Sequence, residues 1–499
     1  MHTQDYYDIV IIGAGISGLT CAWRLRQSGH SVLLLEKADR YGGAIQSARQ
    51  GEWLIEAGPN STLETTPLLT ELIRDAGVEE QKLYADEASK NRYILRDGRL
   101  QSLPMTPPAF LTTRLFSLTA KLALFAEPFI SPSPPDAQES VADFVRRRLG
   151  NEFLDYAINP FVAGVYAGDP ELLSVRAAFP KLFELEQKYG SLIKGQIQGA
   201  RERKRRNEES KQSARMFSFL DGMQTLTDAL AGAIPEKLHS VDVHTLSRSD
   251  GADESAHGVA QPAATHRETG SVEGSEAVPT GETGTHGRKS GLKRYAIGFS
   301  HDGREHVVSA SHVIIATPTA AAARLTHEIA PELGSVFSDI PYPPVAEVIT
   351  GFTPTPEMHP LDGFGFLIPK VEKRRILGTI FSSTIFRRRA PEGRVHLTTF
   401  VGGMRQPELA RGSHEEIARI VLDEQHALLG TPTTPDFIHV TSWEHAIPQY
   451  VHGHSERMRI IDSVEAAHPG LHFCANYRGG ISVGDCVKAA HALVERIDR

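Results

Sequence analysis

The first forty residues alternate between apolar runs and a glycine-rich turn, a pattern that predicts a βαβ unit. Residues 8–12 and 31–35 are short, mostly apolar runs typical of buried parallel strands. Between them, residues 16–28 place apolar side chains at helical spacing, and Gly29 marks the end of that helix. We therefore expect a parallel α/β sheet that starts within the first ten residues and has a helix packed against it.

Further along the chain, the same patterns predict more strands and a closing helix. Apolar runs at 240–246, 294–300 and 306–316 are strand-like. Residues 471–475 form one more such run, and after a second glycine-rich turn residues 484–497 again have helical spacing. The chain is therefore expected to return to an α/β layer at its C-terminal end.

Leucine and phenylalanine recur at alternating spacings of four and three between residues 111 and 129, which predicts one amphipathic helix. Proline-rich segments at 104–108 and 132–135 flank it. Packing on the rest of the protein, contact with a membrane surface, and lining a channel for an apolar substrate are three open alternatives for the apolar face. The residues of that face are Leu111, Leu115, Leu118, Leu122, Phe125 and Phe129.

Two segments have a biased, polar composition. Residues 198–215 are rich in Arg, Lys, Glu and Gln, which is typical of a solvated helix or loop. Residues 249–292 consist largely of Gly, Ser, Glu, Thr and His and have almost no large apolar side chains. Such a segment cannot bury enough surface to offset its ordering entropy, so we predict a disordered insertion within one domain.

The composition fits a globular enzyme. The 499 residues suffice for about three domains or two large interleaved ones, and the formal net charge of −8 argues against nucleic-acid binding. The three cysteines, Cys21, Cys474 and Cys486, show no metal-ligand or disulfide spacing, so we expect no metal and a reducing compartment. The absence of a signal peptide and of a membrane-spanning run predicts a cytoplasmic protein.

The turn at residues 13–18 reads Gly-Ala-Gly-Ile-Ser-Gly, the G-x-G-x-x-G pattern of dinucleotide sites. Gly13 permits a tight turn, Gly15 lets the backbone approach a pyrophosphate, and Gly18 allows close packing of helix on strand. The helix N-terminus stabilises phosphate charge, and Glu36 is expected to accept hydrogen bonds from a ribose 2′-hydroxyl. A tight strand–helix turn without a ligand is the alternative.

A second pair of glycines, Gly42 and Gly43, closes the sequence Asp-Arg-Tyr-Gly-Gly at 39–43. This element resembles the Arg-x-Gly-Gly sequence of the amine-oxidase-like FAD superfamily, whose chain crosses to a substrate domain and then returns. Residues 313–318 and 476–485 are similar to the two elements of that superfamily that return to the flavin. The resemblance implies FAD as the cofactor.

Within that superfamily the chain resembles the protoporphyrinogen and coproporphyrinogen oxidases of haem biosynthesis almost from end to end, apart from the insertion. One departure is Asp-Gly-Met at 221–223, where many members have Gly-Gly before the methionine. The matching pieces are Gly-Pro-Asn at 58–60, Asn-Arg-Tyr at 91–93, Pro-Phe-Val-Ala-Gly-Val-Tyr-Ala-Gly-Asp-Pro at 160–170, Gly-Phe-Gly-Phe-Leu-Ile-Pro at 363–369, Arg-Ala-Pro-Glu-Gly at 389–393 and Ala-Ile-Pro-Gln-Tyr at 446–450.

The resemblance implies oxidation of a porphyrinogen to an aromatic porphyrin, in three two-electron transfers through FAD to oxygen or a quinone. Arg92 would pair with a substrate propionate, Phe364 and Leu367 would pack on the macrocycle, and Gly164 would approach a pyrrole nitrogen or the flavin. A surface position and plain core packing are the alternatives for these residues, and no general base is assignable. The implied cofactor-binding residues are Gly13, Gly15, Gly18, Glu36, Lys37, Arg40, Gly42, Gly43, Gly58, Pro59, Asn60, Val243 and Val483.

The implied architecture is α/β, with a Rossmann-like FAD-binding domain interleaved with an α+β substrate-binding domain and a mainly helical subdomain facing a membrane or a channel. Peripheral contact with the inner face of the cell membrane and a homodimer are further expectations. The predicted division is FAD-binding parts at 1–90, 216–320 and 451–499, a substrate and helical subdomain at 91–215 that contains the amphipathic stretch at 108–131, and a substrate-binding sheet at 321–450.

Other functions remain open from the sequence. A flavin amine oxidase would favour an aromatic cage, for which Tyr477 beside the C-terminal turn is the obvious candidate, and a carotenoid-type desaturase would give Arg92 no task. A non-catalytic flavin-binding protein is a third class. Between the two porphyrinogens, the basic residues at 373–375 and 387–389 favour the substrate with four propionates if they lie at the pocket wall. Solvated loops are the simpler placement for these residues. The amphipathic stretch favours protoporphyrinogen, to which we incline.

Overall fold

The computed structural model describes residues 4–206, 214–248 and 294–499. The insertion predicted at 249–292, and residues 207–213 of the polar segment, lie outside these ranges. The strands in the described ranges are β1 (Tyr6–Ile12), β2 (Val32–Leu35), β3 (Gln46–Gln50), β4 (Trp53–Ala57), β5 (Thr62–Leu63), β6 (Lys82–Tyr84), β7 (Tyr93–Arg96), β8 (Arg99–Ser102), β9 (Met216–Phe219), β10 (Lys237–Leu238), β11 (Asp242–Arg248), β12 (Tyr295–His301), β13 (Arg304–Ile315), β14 (Val345–Phe352), β15 (Gly365–Leu367), β16 (Gly378–Ile380), β17 (Val395–Gly402), β18 (Phe437–Trp443) and β19 (Leu471–Phe473).

The α-helices of the same ranges vary from a single turn to four turns. They are α1 (Ile16–Gln27), α2 (Pro67–Asp75), α3 (Pro107–Thr112), α4 (Leu118–Ala123), α5 (Val141–Leu149), α6 (Asn151–Phe153), α7 (Asn159–Tyr166), α8 (Val175–Ala178), α9 (Pro180–Tyr189), α10 (Leu192–Arg206), α11 (Gln224–Gly232), α12 (Thr319–Thr326), α13 (Leu333–Ser338), α14 (Ser382–Ile385), α15 (His414–Leu429), α16 (His454–Ala467) and α17 (Val483–Ile497).

The first sheet is the α/β layer that the hydrophobic runs predict. Its strand order is β10-β2-β1-β13-β12-β11, with β19 also paired to β13. β1 is parallel to β2 and β13, while β11, β12 and the first half of β13 form an antiparallel meander. Apolar clusters cover both faces of β1, which explains why its sequence is a run and not an alternation. Each predicted strand of this sheet is present, with ends within two residues.

The second sheet combines distant parts of the chain in the order β18-β14-β17-β16-β15-β7-β8. The hairpin β7–β8 pairs through β7 with β15 in parallel, so residues 93–102 supply one edge of this sheet. α15 packs its buried face on the sheet through the cluster that contains Ile417 and Val421. β14, a central strand, is buried along its whole length.

The single amphipathic helix predicted within 108–131 is wrong as a continuous element. The stretch instead forms α3 and α4, which the non-helical residues 113–117 separate, and a 3-10 segment at Leu124–Phe129 that follows α4 directly. Ser117 restarts the chain as a helix because its hydroxyl accepts the N–H of Ala120, and the carboxylate of Glu152 accepts the Ser117 N–H at 2.8 Å. Local side-chain capping has therefore overridden the periodic pattern.

Candidate cofactor and substrate site

Two glycines of the turn between β1 and α1 are required by the packing of the protein itself. Gly13 has a φ of +103°, and a Cβ there would lie 2.8 Å from the carbonyl oxygen of Ala316, just after β13. A Cβ on Gly18 would overlap the carbonyl oxygen of Gly13. The first turn of α1 can therefore lie against the strand ends only with glycine at both positions.

Gly15 differs, because neither packing nor backbone conformation requires glycine there. Its backbone is extended, and a Cβ would meet no protein atom closer than Cα of Gly43, 3.9 Å away. Gly15 is also the N-cap of α1, and no side chain caps this helix. An open cradle in front of an uncapped helix N-terminus fits the pyrophosphate of a dinucleotide such as FAD.

Glu36 lies beside this turn at the end of β2. Its Oε2 accepts the backbone N–H of Ala14 at 2.6 Å, and its Oε1 accepts the N–H of Ala38 at 2.9 Å. These two bonds hold the half-buried carboxylate next to the glycine turn. Each oxygen keeps further lone pairs, so the carboxylate is able to accept ribose hydroxyls as well.

Arg40 holds the second glycine element in place. Its guanidinium donates to three backbone carbonyls of its own loop, at 2.5–3.2 Å. The loop lies against the first turn, because Gly42 forms a bridge to Gly15 and a Cβ on Gly43 would lie 2.9 Å from Cα of Gly15. The two glycine elements are therefore in contact, and Arg40 acts on the loop backbone.

The remaining predicted cofactor residues lie around the same sheet. The ammonium of Lys37 is exposed and lies 3.4 Å from a carboxylate oxygen of Asp242. Val243 is buried in β11, and its carbonyl accepts a hydrogen bond from the guanidinium of Arg324 at 3.0 Å. Val483 is buried at the first position of α17, where it follows an N-cap serine.

The Gly-Pro-Asn segment at 58–60 connects the two sheets. A Cβ on Gly58 would overlap the carbonyl oxygen of Ala44, so the turn requires glycine. The backbone N–H of Gly58 and the Nδ2 of Asn60 each donate to the carboxyl group of Glu347 at 2.8 Å. Glu347 belongs to β14 and is 2% exposed; burial raises its pKa to about 8, while these two donors act in the opposite direction.

A second buried carboxyl lies nearby. Glu56, in β4, lies 3.6 Å from the guanidinium of Arg389, which also donates to the hydroxyl of Ser218 at 2.6 Å. Burial raises the pKa of Glu56 to about 7 and lowers that of Arg389 to about 10. The expectation that residues 387–389 lie in solvated loops is wrong for Arg389, because its partners on β4 and β9 enclose it.

The four residues expected to bind substrate form two contacting pairs. The guanidinium of exposed Arg92 lies over the ring of Phe364, 5.5 Å from its centre. A Cβ on Gly164 of α7 would lie 2.6 Å from Cδ2 of Leu367, which places these two residues in contact. The pairs are linked because β15, which follows Phe364, runs parallel to β7, which follows Arg92. In the described ranges, Arg92 has no carboxylate partner.

A small cavity links the substrate residues to the Gly-Pro-Asn segment. Asn60, Phe364 and Arg389 all line it. The sequence interpretation missed Glu347, which stands behind Asn60. A lone acidic residue in the otherwise apolar run of β14 was the signal that could have revealed it, since a buried carboxyl needs partners.

In the ranges with described structure, no group of His, Cys, Asp and Glu has the arrangement of a metal site. No described helix is long and apolar enough to cross a membrane. Tyr477, the candidate for an amine oxidase cage, is fully buried and packs edge-to-face on Phe337, 5.5 Å between ring centres.

The fold and the dinucleotide turn define an FAD-dependent oxidoreductase. The chain belongs to the flavin containing amine oxidoreductase family, whose model matches residues 16–265 and 293–498.

Two relatives and one solved structure match this chain over almost its full length. The chain is 31% identical to the mitochondrial protoporphyrinogen oxidase of Nicotiana tabacum, over 96% of this chain and 92% of the relative. It is 27% identical to the coproporphyrinogen III oxidase of Bacillus subtilis, over 97% of each protein. Its fold is similar to the solved structure of a candidate protoporphyrinogen oxidase from Exiguobacterium sp. 255-15, with a TM-score of 0.76, 22% identity and coverage of 100% of this chain and 99% of the other.

Proposed function

We propose that this protein oxidises a porphyrinogen to the corresponding porphyrin in haem biosynthesis. The observation that carries the proposal is the position of Arg92, an exposed cation without a carboxylate partner in the described ranges, over the ring of Phe364. A flat macrocycle with propionate side chains offers both an apolar face for the phenylalanine and an anion for the arginine.

The chemistry needs little from acid–base groups. The reaction gains driving force from aromatisation, and FAD, when bound, accepts the electron pairs. Removal of six electrons and six protons in three two-electron steps balances the conversion, with three molecules of oxygen reduced to hydrogen peroxide if oxygen is the acceptor. The task of the side chains is then to hold the macrocycle in a reactive orientation. Leu367 and Gly164 would form the opposite wall to the Arg92 and Phe364 pair.

FAD would be held by residues that converge at the ends of β1 and β2. The pyrophosphate would lie in the Gly15 cradle, and Glu36 would accept the ribose hydroxyls. Arg40 would contribute by shaping the loop that carries Gly42 and Gly43. Gly58, Pro59, Val243, Val483 and the backbone of Asn60 complete the proposed set.

Protoporphyrinogen IX, which carries two propionates, is the substrate that we favour over coproporphyrinogen III, which carries four. A site for four propionates needs several free cations. The guanidinium groups of Arg374 and Arg375 are instead engaged with Glu424 and Asp423 of α15. Arg389 is paired with Glu56, as described above.

We also propose that α3, α4 and the following 3-10 segment contact a membrane surface. Leu118, Phe125 and Phe129 of this segment are exposed, Phe129 at 87%. Arg114, two residues after α3, lines a cavity of about 310 Å³ together with Arg96, Asp97 and Arg99. Arg96 is paired with Glu152, whereas Arg99 and Arg114 have no carboxylate partner in the described ranges. Apolar side chains beside these two cations suit a bilayer with anionic headgroups and a greasy, dipropionate substrate.

The deciding experiment is aerobic turnover of the purified, FAD-loaded protein on both porphyrinogens, followed by porphyrin fluorescence and by hydrogen peroxide formation. Porphyrin formed faster from protoporphyrinogen, with about three peroxides per porphyrin, supports the whole proposal. Faster conversion of coproporphyrinogen would reverse the substrate assignment. Porphyrin without peroxide, but with reduction of an added quinone, would identify the quinone as acceptor.

An inert yellow protein would overturn the proposal and return attention to an amine substrate. The buried position of Tyr477 argues against that second function, because a residue packed in the core cannot form part of an aromatic cage. Hydrogen peroxide released from simple amines would establish it nevertheless.

A further inference from the structure

The carboxyl group of Glu347 reaches Asn60 from β14 of the second sheet. Oε1 accepts from Nδ2 of Asn60 and Oε2 accepts from the N–H of Gly58, both at 2.8 Å. The same Nδ2 donates to the carbonyl of Gly58 at 3.1 Å. Both hydrogens of the Asn60 amide are therefore used by acceptors inside the protein.

This arrangement determines which way round the Asn60 amide lies. The carbonyl oxygen of Gly58 can only accept, whether Glu347 is protonated or ionised, so the NH₂ group must face it and Oδ1 must point the other way. Asn60 lines the small cavity that Phe364 also lines. In the ranges that the structure describes, Oδ1 accepts no hydrogen bond, so the free acceptor is the atom left to face the cavity.

We propose that Glu347 is a positioning residue, which holds Asn60 so that Oδ1 accepts a pyrrole N–H of the substrate. A porphyrinogen has four pyrrole N–H donors, and each of them loses a hydrogen-bonding partner when water is excluded. A fixed acceptor beside the aromatic wall satisfies one donor and aligns the ring that is being oxidised. This inference rests on the proposed porphyrinogen oxidase function.

The hydrogen bond between Glu347 and Asn60 predicts the effect of replacing the carboxyl group of Glu347 by an amide of the same shape. In Glu347→Gln, the oxygen of the new amide keeps the N–H of Gly58, and its NH₂ group faces the NH₂ group of Asn60. If the Asn60 amide turns over, this opposition is relieved, but Oδ1 then faces the carbonyl oxygen of Gly58 and the NH₂ group faces the cavity, so the wild-type orientation is no longer held. Two donors then oppose each other where a pyrrole N–H should bind.

The exchange variant, Asn60→Asp with Glu347→Gln, restores the pattern. The amide now lies on β14 and donates to the carboxyl group at position 60, which in its protonated form donates its O–H to the carbonyl of Gly58 and offers its second oxygen to the cavity. Asn60→Asp alone sets two carboxyl groups against each other. The four proteins thus form a double-mutant cycle in which only matched pairs present an acceptor.

The experiment measures kcat and KM for protoporphyrinogen, the FAD dissociation constant and the flavin absorption spectrum for all four proteins. We expect Glu347→Gln to lower kcat/KM at least tenfold with an FAD dissociation constant within twofold of wild type, and the exchange variant to recover to within threefold. Glu424→Gln is the matched control, since Glu424 is also buried in the substrate half but contacts Arg374 and Arg375. It should leave kinetics unchanged.

Unchanged kinetics in Glu347→Gln would overturn the inference, and so would an exchange variant no better than the poorer single variant. A loss of activity that follows weakened FAD binding would also overturn it, because Asn60 would then serve the flavin. If Glu347→Gln fails to fold, Asn60→Ala and the exchange variant decide: the first should lose activity and the second should retain it. Wild-type protein that forms no porphyrin would instead refute the proposed function itself.

Discussion

Gly15 and Gly18 occupy one turn, but different physical causes require glycine at each position. At Gly18 the cause is internal, because any side chain would overlap the carbonyl oxygen of Gly13. At Gly15 the backbone is extended and the space beyond Cα is open. We therefore propose that the requirement at Gly15 comes from the ligand.

We expect the two alanine variants to separate these causes. Gly15→Ala should lower FAD affinity at least tenfold and change the free energy of unfolding of the FAD-free protein by less than about 1 kcal/mol. Gly18→Ala should destabilise the FAD-free protein by about 1–3 kcal/mol, through overpacking. FAD titration measures the affinity of each variant, and urea unfolding of the FAD-free protein measures its stability. Destabilisation by Gly15→Ala equal to that of Gly18→Ala would contradict this division.

Arg92 is the residue on which the substrate assignment depends. Arg92→Ala should lower kcat/KM for protoporphyrinogen by tenfold or more, since a charge-assisted hydrogen bond contributes about 1.5–3 kcal/mol and 1.4 kcal/mol is a factor of about ten. Arg92→Lys should recover part of the loss. Arg304→Ala, at an exposed position of β13 in the first sheet, is the control and should be neutral. Equal kinetics for Arg92→Ala and wild type would remove Arg92 from the site.

At the scale of elements, the broken amphipathic stretch divides its apolar residues into two groups. Leu115 lies in the extended link between α3 and α4 and is 0% exposed, whereas Leu118, Leu122 and Phe125 are exposed. Leu115 packs in the cluster that contains Phe116 and Phe144 of the helical subdomain. One residue of the stripe therefore anchors the segment, and the exposed residues are available for contact with another surface.

Substitutions of the buried residue and of the exposed residues should affect different properties, namely stability and membrane binding. Leu115→Ala should lower the free energy of unfolding by about 2–5 kcal/mol, because it leaves a cavity in a packed core. Phe125→Ser should leave stability within about 0.5 kcal/mol and reduce co-sedimentation with vesicles that contain phosphatidylglycerol. Urea unfolding and vesicle sedimentation of both variants provide the test. If Phe125→Ser binds vesicles as wild type does, the segment is not a membrane contact.

At the scale of the whole molecule, the second sheet meets the β3–β4 hairpin at buried titratable groups. Glu347 of the second sheet and Glu56 of β4 have pKa values raised to about 8 and about 7 from the ordinary value of 4.5, chiefly by burial. The folded protein therefore binds protons that the unfolded chain has released. The stability from such a group is full below about pH 4.5 and is lost as the pH rises through the folded pKa.

The stability of wild type relative to Glu347→Gln should accordingly fall between about pH 4.5 and pH 8, by a few kcal/mol at about 1.4 kcal/mol per pKa unit. The glutamine variant cannot titrate at this position. Buried histidines such as His396, whose pKa is lowered to about 4, are common to both proteins and cancel in the difference. Urea unfolding of both proteins at several pH values measures the difference in their free energies of unfolding. If that difference is constant with pH, Glu347 ionises normally.

The βαβ unit, the returning strands and the dinucleotide turn could be predicted from the sequence, because they depend on local periodicity and on glycines at fixed spacing. The resemblance also named Arg92, Phe364, Gly164 and Leu367, though not their pairing. The interruption of the helix predicted within 108–131 could not be foreseen from the sequence. The backbone of Ser117, which caps α4, is bound by the carboxylate of Glu152, 35 positions further along the chain. The burial of Arg389 likewise depends on strands far away in the chain.

The sequence by itself thus determined the strands of the first sheet and the dinucleotide turn, because both are encoded by near neighbours along the chain. Only the tertiary structure decided which charges are free and which are engaged. Arg92 has no carboxylate beside it in the described ranges, Arg389 has Glu56, and Glu347 has Asn60 and Gly58. The ionisation and hydrogen bonding of a side chain depend on what surrounds it in space, and these partners lie as many as 333 positions apart in the printed numbering.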